Sequence, residues 1–134
     1  MREIQIKQTP EAINISGIKI KQNECIINSF SVVKNNNNVK FVEGLIINFD
    51  IYNNAVPTAH AWNKIDETYF DVTNDKIWIG RETLKEIKET KYFVIREYDS
   101  NELENGKLFE FSKETIENIN AIKEITAKNE ANSK

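Results

Sequence analysis

Hydrophobic positions along the chain change period several times, and each change marks an element. Ile26, Ile27, Phe30 and Val33 recur at helical spacing; with Asn23 as a capping residue and Glu24 in the first turn, they predict a helix over 24–34. The run Asn35-Asn36-Asn37-Asn38 then suits a loop, because Asn tolerates left-handed backbone angles and bonds to its own backbone. Val39 to Phe49 is rich in β-formers and reads as a strand partly buried on both faces. After a loop over 50–57, a hairpin is expected, with arms at 58–65 and 68–73 and Asp66-Glu67 at its tip.

The second half is read the same way. Residues 76–79 continue the sheet up to Gly80, 81–90 form a helix with Leu84 and Ile87 on one face, and 92–98 form a strand. Asn105-Gly106 is a turn signal leading into a strand over 107–111. Ser112 caps a final helix bearing Ile116, Ile119, Ile122 and Ile125, whose polar end over 128–134 is expected to be a disordered tail. Weak alternation at Ile4 and Ile6, and again at Ile18 and Ile20, marks short extended segments. A helix, a mostly antiparallel sheet and a C-terminal helix make this an α+β protein.

Composition narrows the partners. A chain of 134 residues fits a single domain, 1–134, and 40% hydrophobic with 29% charged residues is ordinary for a globular protein. A formal net charge of −3 without a basic stripe argues against nucleic acid and against an anionic membrane surface. No apolar run is long enough for a signal peptide at the start or for a bilayer span anywhere. One cysteine cannot form an internal disulfide, so a cytoplasmic, reducing setting is the default expectation. Oligomeric state is left open by the Ile stripe, which suits either the sheet or a partner helix.

Three positions then carry chemistry. Cys25 falls in the first turn of the predicted helix, where unpaired N–H groups and the helix dipole favour a thiolate and can hold an oxyanion. His60 is the only histidine, at the start of the hairpin. With a two-residue tip at Asp66-Glu67, Trp62 faces Asp71 across the strands and His60 becomes the diagonal neighbour of Asp71; an odd-length loop would turn Asp71 to the other face. Nucleophile, proton carrier and orienting carboxylate are the parts that acyl transfer through a thiol needs. Each residue also has a plain reading: a small buried hydrophobe, a structural imidazole, a turn cap. Cys25, His60 and Asp71 are acceptable zinc ligands too, but no short-spaced ligand pair accompanies them, so no metal and no cofactor is expected.

The text of these segments adds to their spacing. Cys25-Ile26-Ile27-Asn28-Ser29, Phe41-Val42-Glu43-Gly44, His60-Ala61-Trp62-Asn63 and Tyr69-Phe70-Asp71-Val72-Thr73 occur in that order. This resembles the transglutaminase-like and papain-like cysteine proteins, and is similar in particular to small bacterial and phage members. The resemblance covers about 22–74. It implies a papain-like or transglutaminase-like core with Cys25 as nucleophile, His60 as general base and Asp71 as orienting carboxylate. It implies Trp62 shielding the site or packing beneath it, Glu43-Gly44 on a flanking strand, and Gln22 or Asn23 assisting the oxyanion hole. The substrate would be a peptide, a protein or a small amide. The alternative is an interaction module that keeps the fold without the chemistry.

Overall fold

The computed structural model describes residues 1–74, 87–103 and 108–132. Strands β1 (Arg2–Ile4) and β2 (Ile6–Lys7) precede helix α1 (Cys25–Asn35), followed by β3 (Val39–Asp50), β4 (Ala55–Ile65), β5 (Thr68–Phe70), β6 (Ile87–Tyr98), and helix α2 (Lys113–Asn132). The sheet order is β1-β6-β3-β4-β5-β2. Only Gln5 separates β1, which pairs antiparallel with β6, from β2, which pairs parallel with β5. A chain that bonds to both edges within a few residues requires those edges to be close. The six-stranded sheet is therefore curled, and the protein is α+β.

Period-2 alternation assigns the two faces of β3 and β4. Val42, Ile46, Trp62, Tyr69, Tyr92 and Val94 line the inside of the curl, with Ile4 and Ile6 from the N-terminal strands. The opposite face carries Phe41, Ala61 and Phe70, on which Val32 and Val33 of α1 pack. Leu45 and Ile47 on that face meet Ile119 and Ile122 of α2. The stripe on α2 docks only at its middle, since Ile116 and Ile125 are exposed. Among the described residues no helix is long and apolar enough to cross a membrane.

Several elements differ from the sequence reading, each for a physical reason. Residues 87–90, expected at the end of a helix, extend β6, because β3 offers its whole length as a ladder and tertiary pairing overrides local propensity. The earlier part of that expected helix, the strand at 76–79 and the Asn105-Gly106 turn lie outside the described residues. Residues 108–111 form no strand; Phe109 instead plugs the core against Phe41 and Tyr98, at ring separations of 4.7 and 5.7 Å. Residues 18–20 form no strand either. The loop expected at 50–57 shrinks to a turn at 51–54, where the Asp50 carboxylate accepts the Tyr52 and Asn54 amides at 2.8 and 2.9 Å. Helix α2 continues to Asn132, through the start of the stretch read as a tail.

Asn23 does not cap α1. It takes a left-handed φ of 64°, Glu24 occupies the cap position without a side-chain hydrogen bond, and Cys25 is the first helical residue. The buried face of α1 is also more polar than its hydrophobic spacing suggests, with Asn28 and Ser29 fully enclosed. Asn28 is tolerated there because it accepts the Lys21 amide (3.2 Å) and donates to the Lys21 carbonyl (2.8 Å) and the Thr73 hydroxyl (3.0 Å). One side chain thus ties the start of α1 to the loop before it and to the segment after β5.

Gly44 sits opposite His60 in the β3–β4 register, at a shift in the β3–β6 ladder. A Cβ there would lie 2.0 Å from the Phe93 carbonyl oxygen and 2.7 Å from Cη2 of Trp62. The backbone oxygen cannot move aside cheaply, so Gly44→Ala is expected to cost about 3 kcal/mol or more. In urea unfolding the midpoint should fall with an unchanged slope; an unshifted midpoint would contradict this packing.

Candidate active site

The hairpin that carries the site has the two-residue tip expected from sequence. Ile65 pairs with Thr68, Lys64 with Tyr69 and Asn63 with Phe70. Pairing stops there, one step before Trp62 would meet Asp71, because the chain leaves the sheet at Asp71 and 72–74 form a helical turn. The carboxylate supports that departure: Asp71 Oδ1 accepts the backbone N–H of Asn74 at 3.3 Å. Asp71 therefore caps the turn, as its plain reading expected.

His60 faces the inside of the curl. Its Nε2 lies 2.7 Å from Asp71 Oδ2, and the two groups are 7% and 0% exposed. The imidazole stacks on Trp62, with centroids 6.0 Å apart and planes 25° off parallel. Tyr92 stands edge-on to both rings. Its hydroxyl donates to Asp71 Oδ2 at 2.8 Å and accepts from Asn74 Nδ2 at 2.5 Å. Burial works against a charged imidazole here, but the Asp71 charge and hydrogen bond outweigh it, with a smaller contribution from Cys25, and raise the His60 pKa to about 10. At neutral pH the imidazole is therefore held in its charged form beside Asp71.

Cys25 lies close enough to the imidazole to contribute a hydrogen bond and charge to it. It is partly exposed and packs at the margin of the apolar cluster under α1. β5 pairs with β4 only over 63–65, so the ladder between them ends before the stretch of β4 holding His60. With Nε2 committed to Asp71, Nδ1 is the ring nitrogen left to exchange a proton with the thiol.

The remaining candidates separate. Trp62 is fully buried beneath the imidazole. Gln22 and Asn23 are exposed in the turn before α1, next to Cys25 in sequence. Glu43 stands opposite Ala61, on the face turned away from His60. It accepts hydrogen bonds from the Tyr98 hydroxyl (2.7 Å), the Ser112 amide (2.6 Å) and the Thr115 hydroxyl (2.5 Å). Burial alone would raise its pKa, but these donors lower it; burial, with the hydrogen bond to Glu43 and its charge, pushes Tyr98 up to about 12. Glu43 thus anchors the start of α2 to the sheet and lies outside the His60 cluster.

Two members of the cluster, Tyr92 and Asn74, escaped the sequence reading. Tyr92 looked like one more strand aromatic. Asn74 had a signal, its place three residues after Asp71, which is capping spacing. Asn28 was visible in the Cys25-x-x-Asn28 pattern, but its reach to Lys21 and Thr73 depends on tertiary structure.

No protein-family model matches the chain, and neither a curated protein nor a solved structure matches it. Among the described residues no group of three or more His, Cys, Asp or Glu side chains is arranged to hold a metal ion.

Because His60 is the only histidine, its titration is directly readable by NMR. The imidazole signals should move with a midpoint near 10 rather than 6.5. A folded-state pKa raised above the unfolded value stabilises the fold fully below pH 6.5, and that contribution fades as pH rises to about 10. Replacing Asp71 by Asn should bring the midpoint far down from 10, since burial then opposes the charge against only the smaller contribution of Cys25; a wild-type midpoint near 6.5 would contradict the ion pair.

Proposed function

We propose that this protein is a cysteine-dependent acyl-transfer enzyme with a papain-like or transglutaminase-like core, acting on an amide or ester through Cys25, His60 and Asp71. The observation that carries the reading is the buried His60–Asp71 contact of 2.7 Å, with the thiol at the first position of a helix beside it. The order of Cys, His-Ala-Trp and Asp, and the resemblance it bears to those cysteine proteins, supports it further.

The chemistry follows from the charges. An imidazolium next to Cys25 favours the thiolate, as does the N-terminal end of α1. The thiolate attacks the substrate carbonyl carbon. The resulting oxyanion is held by first-turn amides, which no side chain at Glu24 caps. As the intermediate collapses, His60 gives its proton to the departing nitrogen or oxygen and a thioester forms on Cys25. Water or an amine then attacks the thioester and His60 takes the proton back, which completes a hydrolase, deamidase or transferase cycle.

One observation favours the alternative of a non-catalytic binding module: the imidazole is 7% exposed, so any substrate must approach it narrowly. Alkylation by iodoacetamide across pH 4 to 9 separates the two. The enzyme reading expects rapid modification of Cys25 at neutral pH, lost in His60→Ala. Slow modification in both proteins would make Cys25 a structural thiol and favour the binding module.

A further inference from the structure

We infer that Tyr92, acting through Asp71, is a positioning residue that sets how tightly His60 holds its proton. The proposal rests on the acyl-transfer reading for its purpose, but its physical content is the geometry around one carboxylate oxygen. Asp71 Oδ2 serves two donors at once, the His60 ring at 2.7 Å and the Tyr92 hydroxyl at 2.8 Å. Asn74 supports both ends of this arrangement. Its side chain donates to the Tyr92 hydroxyl and its backbone N–H to Asp71 Oδ1. Tyr92 and Asn74 both donate to Asp71, so its oxygens serve as acceptors although none of its surface is exposed.

A hydroxyl donating to a carboxylate withdraws part of its charge. Without that donor the full charge of Asp71 would bear on the imidazole in a dry site, where charges interact more strongly than in water. The bare carboxylate would be worst off when His60 is neutral, so loss of the hydroxyl favours the imidazolium. Tyr92 therefore moderates the pair. In acyl transfer this matters at one step, when the imidazolium must release its proton to the leaving group. Among the described residues the titratable groups facing the ring are Asp71, Cys25 and Tyr92, the last through its edge contact at 6.1 Å.

Tyr92→Phe is a clean probe, because the ring keeps its contacts with Trp62 and His60 and only the hydroxyl is lost. The His60 NMR midpoint should rise by roughly half a unit or more over wild type. Asn74→Ala, which removes the side-chain support of the hydroxyl, should raise it less. An unchanged or lowered midpoint in Tyr92→Phe would overturn the proposal, and so would a change in Asn74→Ala alone. Iodoacetamide labelling on the same samples keeps the two readings apart. Rapid labelling of wild type with an unmoved Tyr92→Phe midpoint removes the role of Tyr92 and leaves the enzyme reading intact. Slow labelling of wild type with a raised midpoint removes the enzyme reading and leaves the control of His60 by Tyr92 standing.

Discussion

The rest of the site depends on a charge pair withdrawn from water. Desolvating an imidazolium and a carboxylate costs several kcal/mol per ion, and their attraction repays this only where geometry is good and the remaining lone pairs are satisfied. The surroundings of His60 and Asp71 meet those conditions in detail. Tyr92 and Asn74 satisfy the carboxylate, Trp62 packs against the ring, and Gly44 leaves room for the Trp62 ring against β6. Asn28 joins the start of α1 to Thr73, two residues beyond Asp71, and so fixes the helix that bears Cys25 relative to the pair. Removing one ion would leave the other buried and uncompensated.

A second buried carboxylate shows how strand alternation divides labour. Glu43 and His60 lie one register step apart on β3 and β4, yet their side chains point to opposite faces. Glu43 has three donors and does mechanical work, holding Tyr98 of β6 and the first turn of α2 to the sheet. Asp71 shares its donors with an imidazole and a thiol is near. Similar burial thus yields an anchor in one case and, in the other, an aspartate that meets an imidazole, according to whether a titratable partner is present. The curl adds closure: Arg2, Tyr69, Lys64 and Glu97 bridge the N-terminal strand to β4, β5 and β6.

What the sequence revealed follows the range of each interaction. Helix α1 and strand β3 were legible because their periodicity is local, and the two-residue tip at Asp66-Glu67 set the register that brings Asp71 to His60. Asp71 turning out of the sheet was legible only in part, since an Asp that caps a turn and one that continues a strand look alike in local sequence. Residues 87–90 were misread because the charged stretch has helical propensity, whereas the deciding partner, β3, is some forty residues away in sequence. Glu43 was read as neighbouring the site because adjacency along β3 says nothing about which face its partners occupy. Tyr92 was invisible for the same reason: its meaning lies in a contact with Asp71 across 21 positions.

The most direct test of the central claim is to look for the acyl intermediate itself. Wild-type protein exposed at neutral pH to p-nitrophenyl acetate should gain one acetyl group on Cys25 by intact-mass spectrometry, and hydroxylamine should remove it, as expected for a thioester. The adduct should be absent in Cys25→Ser and form far more slowly in His60→Ala. Failure of the wild type to acylate, or acylation of Cys25 at the same rate without His60, would contradict the account.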